Sequence, residues 1–317
     1  MDIIPPEVLQ DILSRCSEYA PVLKETCYEW NDVLSNTSVH KVVLSFEQMA
    51  EHGYIDLLTY VGKDRIGEKR IPYILRHAAK GGHFCVMILA KEWGATNYDN
   101  ALEYAATNGQ IPAMYLAKKW GATKYDWALD NAAKSGHIPA MYLAKEWGAT
   151  NYNWALDSAA ANGRLQAMHL AKEWGADEYD WALESAAKNG QITAMHSLKE
   201  WGATEYGWAL DGASNSGQIT AMHLAKEWGA TNYNEALDGA ATNGHLQAMH
   251  LAKEWGATNY DEALISAAIK EQIPAMRLLK KWGATAYESA LFYGSRHIEV
   301  VELLKDWMNR EPLLNNY

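Results

Sequence analysis

The sequence predicts an all-α fold, an α-solenoid of stacked helix pairs, and three observations carry that prediction. First, a stretch of 27 residues, typified by 148–174 (GATNYNWALDSAAANGRLQAMHLAKEW), recurs in constant register from Trp93 through Trp120, Trp147, Trp174, Trp201, Trp228 and Trp255 to Trp282. A fixed period of that size marks an array in which each unit buries its apolar face only against its neighbours. Second, apolar residues fall at helical spacing. Tyr152, Ala155, Leu156, Ala159 and Ala160 form one stripe, and Ala167, Met168, Leu170, Ala171 and Trp174 form another. Third, glycine punctuates each repeat twice, at Gly163 and Gly175, where the left-handed conformation that ends a helix costs glycine little.

Within one repeat the elements follow in order. The first helix spans about 151–162, with Thr150 as its N-cap; the equivalent residue is Thr in the other repeats except Asp177, which caps equally well. Three residues after the cap stand Asp99, Asp126, Asn153, Asp180, Asn234, Asp261 and Glu288, with Gly207 the exception. That approximates a capping box, and the acids complement the helix dipole. Gly163 stops this helix. The second spans about 165–174, buries Trp174 and ends at Gly175. Alanines on the facing stripes let helices approach to roughly 8–10 Å, while Met and Trp fill the space between layers. The two-residue Gly-Ala link is too short for an extended finger, so residues 67–307 should be paired helices without strand hairpins.

The run Ala155-Leu156-x-x-Ala159-Ala160-x-Asn162-Gly163, followed by Leu165, Leu170-Ala171 and Trp174-Gly175-Ala176, resembles the ankyrin repeat. The segment His297-Ile298-Glu299-Val300-Val301-Glu302-Leu303-Leu304 resembles it more closely still. Two departures qualify the likeness. The family's unit is longer, so its hairpin finger should be missing here, and its Thr-Pro-Leu-His segment is replaced by Trp154-Ala155-Leu156-Asp157. The resemblance implies a fingerless, ankyrin-like helical array that binds protein partners.

Residues 1–38 stand outside the repeat. Pro6 suits the first turn of a helix carrying Val8, Leu9, Ile12 and Leu13, and Leu23, Cys27, Trp30 and Val33 form a second apolar set. So small a helical piece leaves apolar side chains without an internal partner. The run Ile4-Pro5-Pro6-Glu7-Val8-Leu9, with Ile12-Leu13, Leu23 and Cys27-Tyr28-Glu29-Trp30, resembles an F-box, with Ile4 in place of the family's leading Leu and Thr26 in place of its Val. The resemblance implies that Ile4, Pro5, Leu9, Ile12 and Leu13 dock on a Skp-family adaptor of a cullin–RING ubiquitin ligase. F-box segments joined to ankyrin-like arrays resemble proteins of large DNA viruses. A helical cap covering the first repeat is the second reading of this segment. Residues 39–66 form a degenerate repeat with Phe46, Met49, Ala50, Gly53, Ile55, Leu57 and Leu58 in place. At Glu271 a carboxylate occupies the turn-glycine position, which predicts a locally rebuilt turn; residues 308–317 predict a loosely ordered tail.

Composition narrows the function. Lys+Arg 28 against Asp+Glu 39 gives a net charge of −11, spread through the repeats, which argues against a binder of phosphate backbones. No apolar run is long enough for a membrane span, Met1-Asp2-Ile3-Ile4-Pro5 does not read as a signal peptide, and three cysteines are few and unpatterned. A soluble, cytoplasmic protein, monomeric outside its complexes, is the expectation. No phosphate loop, nucleophile elbow or zinc-spaced cluster appears, so neither an enzyme nor a cofactor is expected.

Three ladders run through the repeats. His169, His196, His223 and His250 read as surface residues, and Lys91, Lys118, Lys145, Lys172, Lys199, Lys226, Lys253 and Lys280 as cations near helix C-termini. The third is the candidate site: Trp127, Trp154, Trp181 and Trp208, with Asp130, Asp157, Glu184 and Asp211 one turn on and thus on the same face. Glu235 and Glu262 stand where the tryptophans would, so the fold does not demand an aromatic there. The tryptophans serve either as a recognition face for a basic segment or as hydrophobic staples. Two functions follow: a substrate-recruiting ligase adaptor, or a scaffold that binds a protein partner with no ligase role.

Overall fold

The computed structural model describes residues 45–314, with side chains to 309. The F-box-like segment 1–38, with Ile4, Pro5, Leu9, Ile12 and Leu13, lies outside the described residues. Among those described, every regular element is a helix and there is no strand. The chain has the all-α architecture of successive helix pairs, with no hairpin fingers between the described repeats.

Contacts divide it into two compact units. The first runs through residue 132 and takes up His137–Thr150. It contains α1 (Phe46–Glu51), α2 (Ile55–Ile66), the 3-10 turn Glu68–Arg70, α3 (Ile71–Gly81), α4 (Phe84–Glu92), α5 (Tyr98–Thr107), α6 (Ile111–Lys119), most of α7 (Tyr125–Ser135) and α8 (Ile138–Glu146). The second holds Ala133–Gly136 and everything from Asn151. Its helices are α9 (Tyr152–Ala161), α10 (Leu165–Glu173), α11 (Tyr179–Lys188), α12 (Ile192–Trp201), α13 (Tyr206–Asn215), α14 (Ile219–Trp228), α15 (Tyr233–Thr242), α16 (Leu246–Trp255), α17 (Tyr260–Ile269), α18 (Ile273–Trp282), α19 (Tyr287–Tyr293) and α20 (Ile298–Leu314).

Each pair forms for local reasons. In the 152–174 repeat, Ala155, Leu156, Ala159 and Ala160 of α9 and Ala167, Met168 and Ala171 of α10 are wholly buried. Leucine and methionine supply the volume between layers and alanine the close approach. Truncating such a side chain, Met168→Ala for example, costs about 2–5 kcal/mol. Both helices end the same way. Gly163 at φ 65° directs its own N–H to Ala160 O (3.1 Å) and the Arg164 N–H to Ala159 O (2.8 Å). Gly175 at φ 110° does so with Lys172 O (2.9 Å), while the Ala176 N–H reaches Ala171 O (3.0 Å). These paired bonds satisfy carbonyls the helix leaves open.

Several details depart from the sequence reading. The first helix begins one residue later than expected, and the residue after the Thr, such as Asn151 or Glu178, is the N-cap. The expected capping box does not form. The acid at the second helical position reaches instead to the link of the following repeat. Asp99 Oδ1 accepts from the N–H groups of Thr123 (2.6 Å) and Lys124 (3.0 Å), and Asp180 Oδ1 from those of Thr204 (2.6 Å) and Glu205 (2.9 Å). Asp261 does the same at Thr285 (2.6 Å) and Ala286 (2.9 Å). Two consecutive N–H groups converge on one oxygen, a stronger arrangement than an acid folded back on its own helix.

Trp174 is not buried; it is the half-exposed C-cap of α10. Glu271 does not rebuild its turn. It keeps the left-handed conformation at φ 57°, and its carboxylate lies 3.0 Å from Nδ1 of His297, whose Nε2 donates to Ile269 O (3.1 Å). At the other end of the chain, α20 continues past Trp307 to Leu314, where a loose tail was expected.

Candidate protein-interaction face

The repeat displays two different sides. Along the second helices, the terminal Trp rings from Trp120 to Trp282 meet rings or cations of their neighbours. The Trp201 ring meets Lys172 Nζ at 4.5 Å and His169 at 4.9 Å, both from the preceding repeat, and Tyr179 of its own repeat at 6.0 Å. Trp228, Trp255 and Trp282 repeat this box with Lys199, Lys226 and Lys253 and with His196, His223 and His250. The lysine and histidine ladders therefore join repeat to repeat through cation–π and edge-on ring contacts, each worth about 0.5–1 kcal/mol at a surface. They are structural, and the lysines do more there than complement a helix dipole.

The first helices carry the other side. Trp127 on α7 is 48% exposed, and Trp154, Trp181 and Trp208 on α9, α11 and α13 are 52%, 62% and 42% exposed. Trp127 belongs to the first unit, where Lys124 Nζ lies 5.9 Å from its ring; the other three belong to the second. One turn on from each stands an acid: Asp130, Asp157 and Asp211 are half-buried and Glu184 is exposed. The helices turn these residues outward because Ala and Leu at the intervening positions occupy the core stripe.

Partial burial of these acids shows in their protonation. Burial raises the Asp157 carboxyl against the opposing hydrogen bond from Ser185. In the first unit, burial and then the Asp130 charge raise Glu103, with Arg76 opposing. Asp211 is pushed furthest, to about 6, first by burial and then by Glu235 and Glu184. A carboxyl that resists ionising among other carboxyls marks a place short of positive charge.

A second feature, which sequence reasoning missed, adjoins Asp211. Gly207 offers no side chain to bridge to the following link. Asn232 reaches back instead, donating through Nδ2 to Gly207 O (3.1 Å) and Asp211 Oδ1 (2.6 Å). Gly212 lets α13 press against α11, since a Cβ there would lie 2.9 Å from Glu184 O. Of the neighbouring first helices in the second unit, α11 and α13 pack closest and α13 and α15 most loosely. A hollow of about 480 Å³ opens across α13, α15 and α17, lined by Asp211, Asn215, Asn234, Glu235, Asp238 and Glu262 among others, with no basic residue. The legible signal was three glycines, Gly207, Gly212 and Gly239, each in register but departing from the residue type of its column; at the position of Gly212 and Gly239 other repeats place Ser158, Ser185 and Ser266. Among the described residues no group of three or more His, Cys, Asp or Glu is arranged to hold a metal ion, and no helix is long and apolar enough to cross a membrane.

No protein-family model matches the chain, and no curated protein matches it. Among solved structures the chain is similar to the crystal structure of the human ASB11 ankyrin repeat domain, at 21% identity and a TM-score of 0.41, over 56% of this chain and 96% of that one.

Proposed function

We propose that this chain is a protein–protein interaction module whose first-helix face grips an extended, basic segment of a partner. The supporting observation is the set of exposed tryptophans Trp154, Trp181 and Trp208 on one unit, each with a carboxylate one turn on. Tryptophan is the residue most enriched where binding energy concentrates, and its ring face attracts Arg and Lys. The adjacent acids favour a basic partner and reject acidic ones and nucleic acid. Trp127 and Asp130 add the same pairing on the first unit.

The finer reading is a substrate-recruiting adaptor for a cullin–RING ubiquitin ligase. Its support is the F-box resemblance of residues 4–30, with Ile4, Pro5, Leu9, Ile12 and Leu13 as the contacts to a Skp-family adaptor. A purified Skp-family subunit should co-elute with the full chain and not with the Pro5→Ala, Leu9→Asp double variant, whose helical signal should be unchanged. If the parent chain fails to co-elute, the scaffold reading replaces the adaptor reading.

The interaction face is tested separately, with Lys/Arg-rich and Glu/Asp-rich unstructured peptides of equal length. The parent should bind the basic set, and Trp154→Glu with Trp181→Glu should weaken that binding by about ten-fold or more. The residues introduced are those the chain itself places at 235 and 262, so folding should be retained. Equal affinity in parent and variant would place the binding surface elsewhere.

A further inference from the structure

We infer that the partner segment carries an apolar anchor beside its basic stretch, and that this anchor seats on the α17–α19 end of the second unit. The inference rests on the proposed reading that the first-helix face takes a basic segment, and it adds what that segment presents further along.

The first support is where the repeat changes its residue types. In the column one turn on from the tryptophans, α9, α11, α13 and α15 carry Asp157, Glu184, Asp211 and Asp238, whereas α17 and α19 carry Ile265 and Phe292. One further turn along, the same four helices carry Ala161, Lys188, Asn215 and Thr242, and α17 carries Ile269. In the column of Ser158, Ser185, Gly212, Gly239 and Ser266, α19 carries Tyr293. Each change introduces a large aliphatic or aromatic side chain, and all fall on two neighbouring helices. The fold does not ask for them, since other repeats of this unit fold with Asp238, Thr242 and Ser266 in these columns.

Exposure and contiguity are the second support. Phe292 is 74% exposed, Tyr293 and Ile269 are exposed, and Ile265 is half-buried. The Phe292 and Tyr293 rings meet edge-on at 5.1 Å, and α17 packs against α19. Ile265 and Ile269 follow each other by one turn on α17. The side chains therefore form one patch, unlike the single apolar residues that any surface scatters.

Charge assigns the occupant. In the tryptophan column Glu235 and Glu262 follow Trp208, and Ser289 follows them, so in these two columns acids reach α17 and stop there. A segment basic throughout would set a charged group on Phe292, and an apolar one would leave the carboxylates unmatched. A segment that passes from Lys or Arg to an apolar residue matches both. Trp208 on α13 and Phe292 on α19 are three layers apart, roughly 24–30 Å at the usual helix spacing. An extended chain covers that span in about eight residues.

The test uses the full chain and synthetic peptides with a Lys-Arg-Lys-Arg block, a Gly/Ser spacer and a Phe. The Phe stands about eight residues before the block in one set and after it in the other, with Ser in its place as control. In one of the two orders the Phe should raise affinity about ten-fold over the control, as expected when an aromatic ring leaves water. Phe292→Ser with Ile269→Thr should remove that gain and leave the affinity of the Ser control unchanged. If this variant melts below the parent, Tyr293→Ser, which installs the residue type of Ser266, gives the reading instead. An equal gain in parent and variant, or no gain in either order, would overturn the anchor. So would a parent that sediments as a dimer and a double variant that does not, because the patch would then belong to a second copy. No gain from Phe, while Trp154→Glu with Trp181→Glu still weakens the Ser control, would remove the anchor and leave the basic-segment face. A gain lost in Phe292→Ser with Ile269→Thr, with the tryptophan variant unaffected, would keep the anchor and remove that face.

Discussion

Replacing Asp180 by Ala tests how one repeat is fastened to the next. Its Oδ1 accepts from Thr204 N at 2.6 Å and Glu205 N at 2.9 Å. The chain contains its own controls. Asn153 and Asn234 hold the equivalent links with a neutral oxygen, at 2.8 and 3.2 Å in both cases. The longer distances are those of a weaker, uncharged acceptor. Removing both bonds at this exposed link should cost about 1 kcal/mol, the range of a lost helix cap. Asp180→Asn should cost less than half of that. In thermal unfolding the Ala variant should melt about 2–6 °C lower, and amide exchange at Thr204 and Glu205 should accelerate while that at Leu183 does not. A loss below about 0.3 kcal/mol with unchanged exchange at both amides would mean the link is held by chain geometry alone.

Asp211→Asn should raise stability near neutral pH by about 1 kcal/mol, after allowance for solvent screening at a half-exposed group. Burial first, then Glu235 on α15 and Glu184 on α11, raise the folded-state carboxyl above its unfolded value, and Asp238 lines the same hollow. The native state therefore holds the extra proton between about pH 4 and 6, and this group's contribution weakens as pH rises through that window. Denaturant midpoints at pH 5 and 7 should differ less in the variant than in the parent. Glu51 has the opposite sign. Lys80 first (2.7 Å), then His77 (3.1 Å), lower its carboxyl, so Glu51→Gln should be most destabilising near neutrality and indistinguishable from the parent once pH falls through the folded value. Glu271→Gly should stabilise by about 0.5–1 kcal/mol, because relief of a left-handed non-glycine backbone exceeds the loss of a surface contact to His297. Lys199→Met, which keeps the stem and removes the charge over Trp228, should cost about 0.5–1 kcal/mol by urea denaturation.

Much of this was readable from periodicity. The positions of Ala155, Leu156, Ala159, Ala160 and Met168 fix the core because a helix repeats its faces whatever lies beyond it. The exposure of Trp154 and Trp181 followed from the same count. What periodicity could not give was the direction of a short side chain. Asp99 and Asp180 sit where a capping box would use them, yet a neighbouring link presents two N–H groups at once, and that partner exists only after stacking. Trp174 misled for the same reason, since its ring is satisfied at the edge of the stack and not inside it. The hollow beside Asp211 escaped notice because its cause is missing atoms, at Gly207, Gly212 and Gly239, and sequence patterns are read from what is present.

The missing bridge at Gly207 also bears on how the chain comes apart. In a one-dimensional array, stability is a sum of unit terms and couplings between nearest neighbours. Between α13 and α15 the coupling has lost its Asp-to-link bridge and its tightest helix contact. Within the second unit, a tether pulled from both ends should therefore rupture there before the other neighbouring first-helix contacts, releasing the block from Tyr233 onward. Among the links of the second unit, a limited protease should cut 229–232 first. The seam is thus the place where the spring is thinnest.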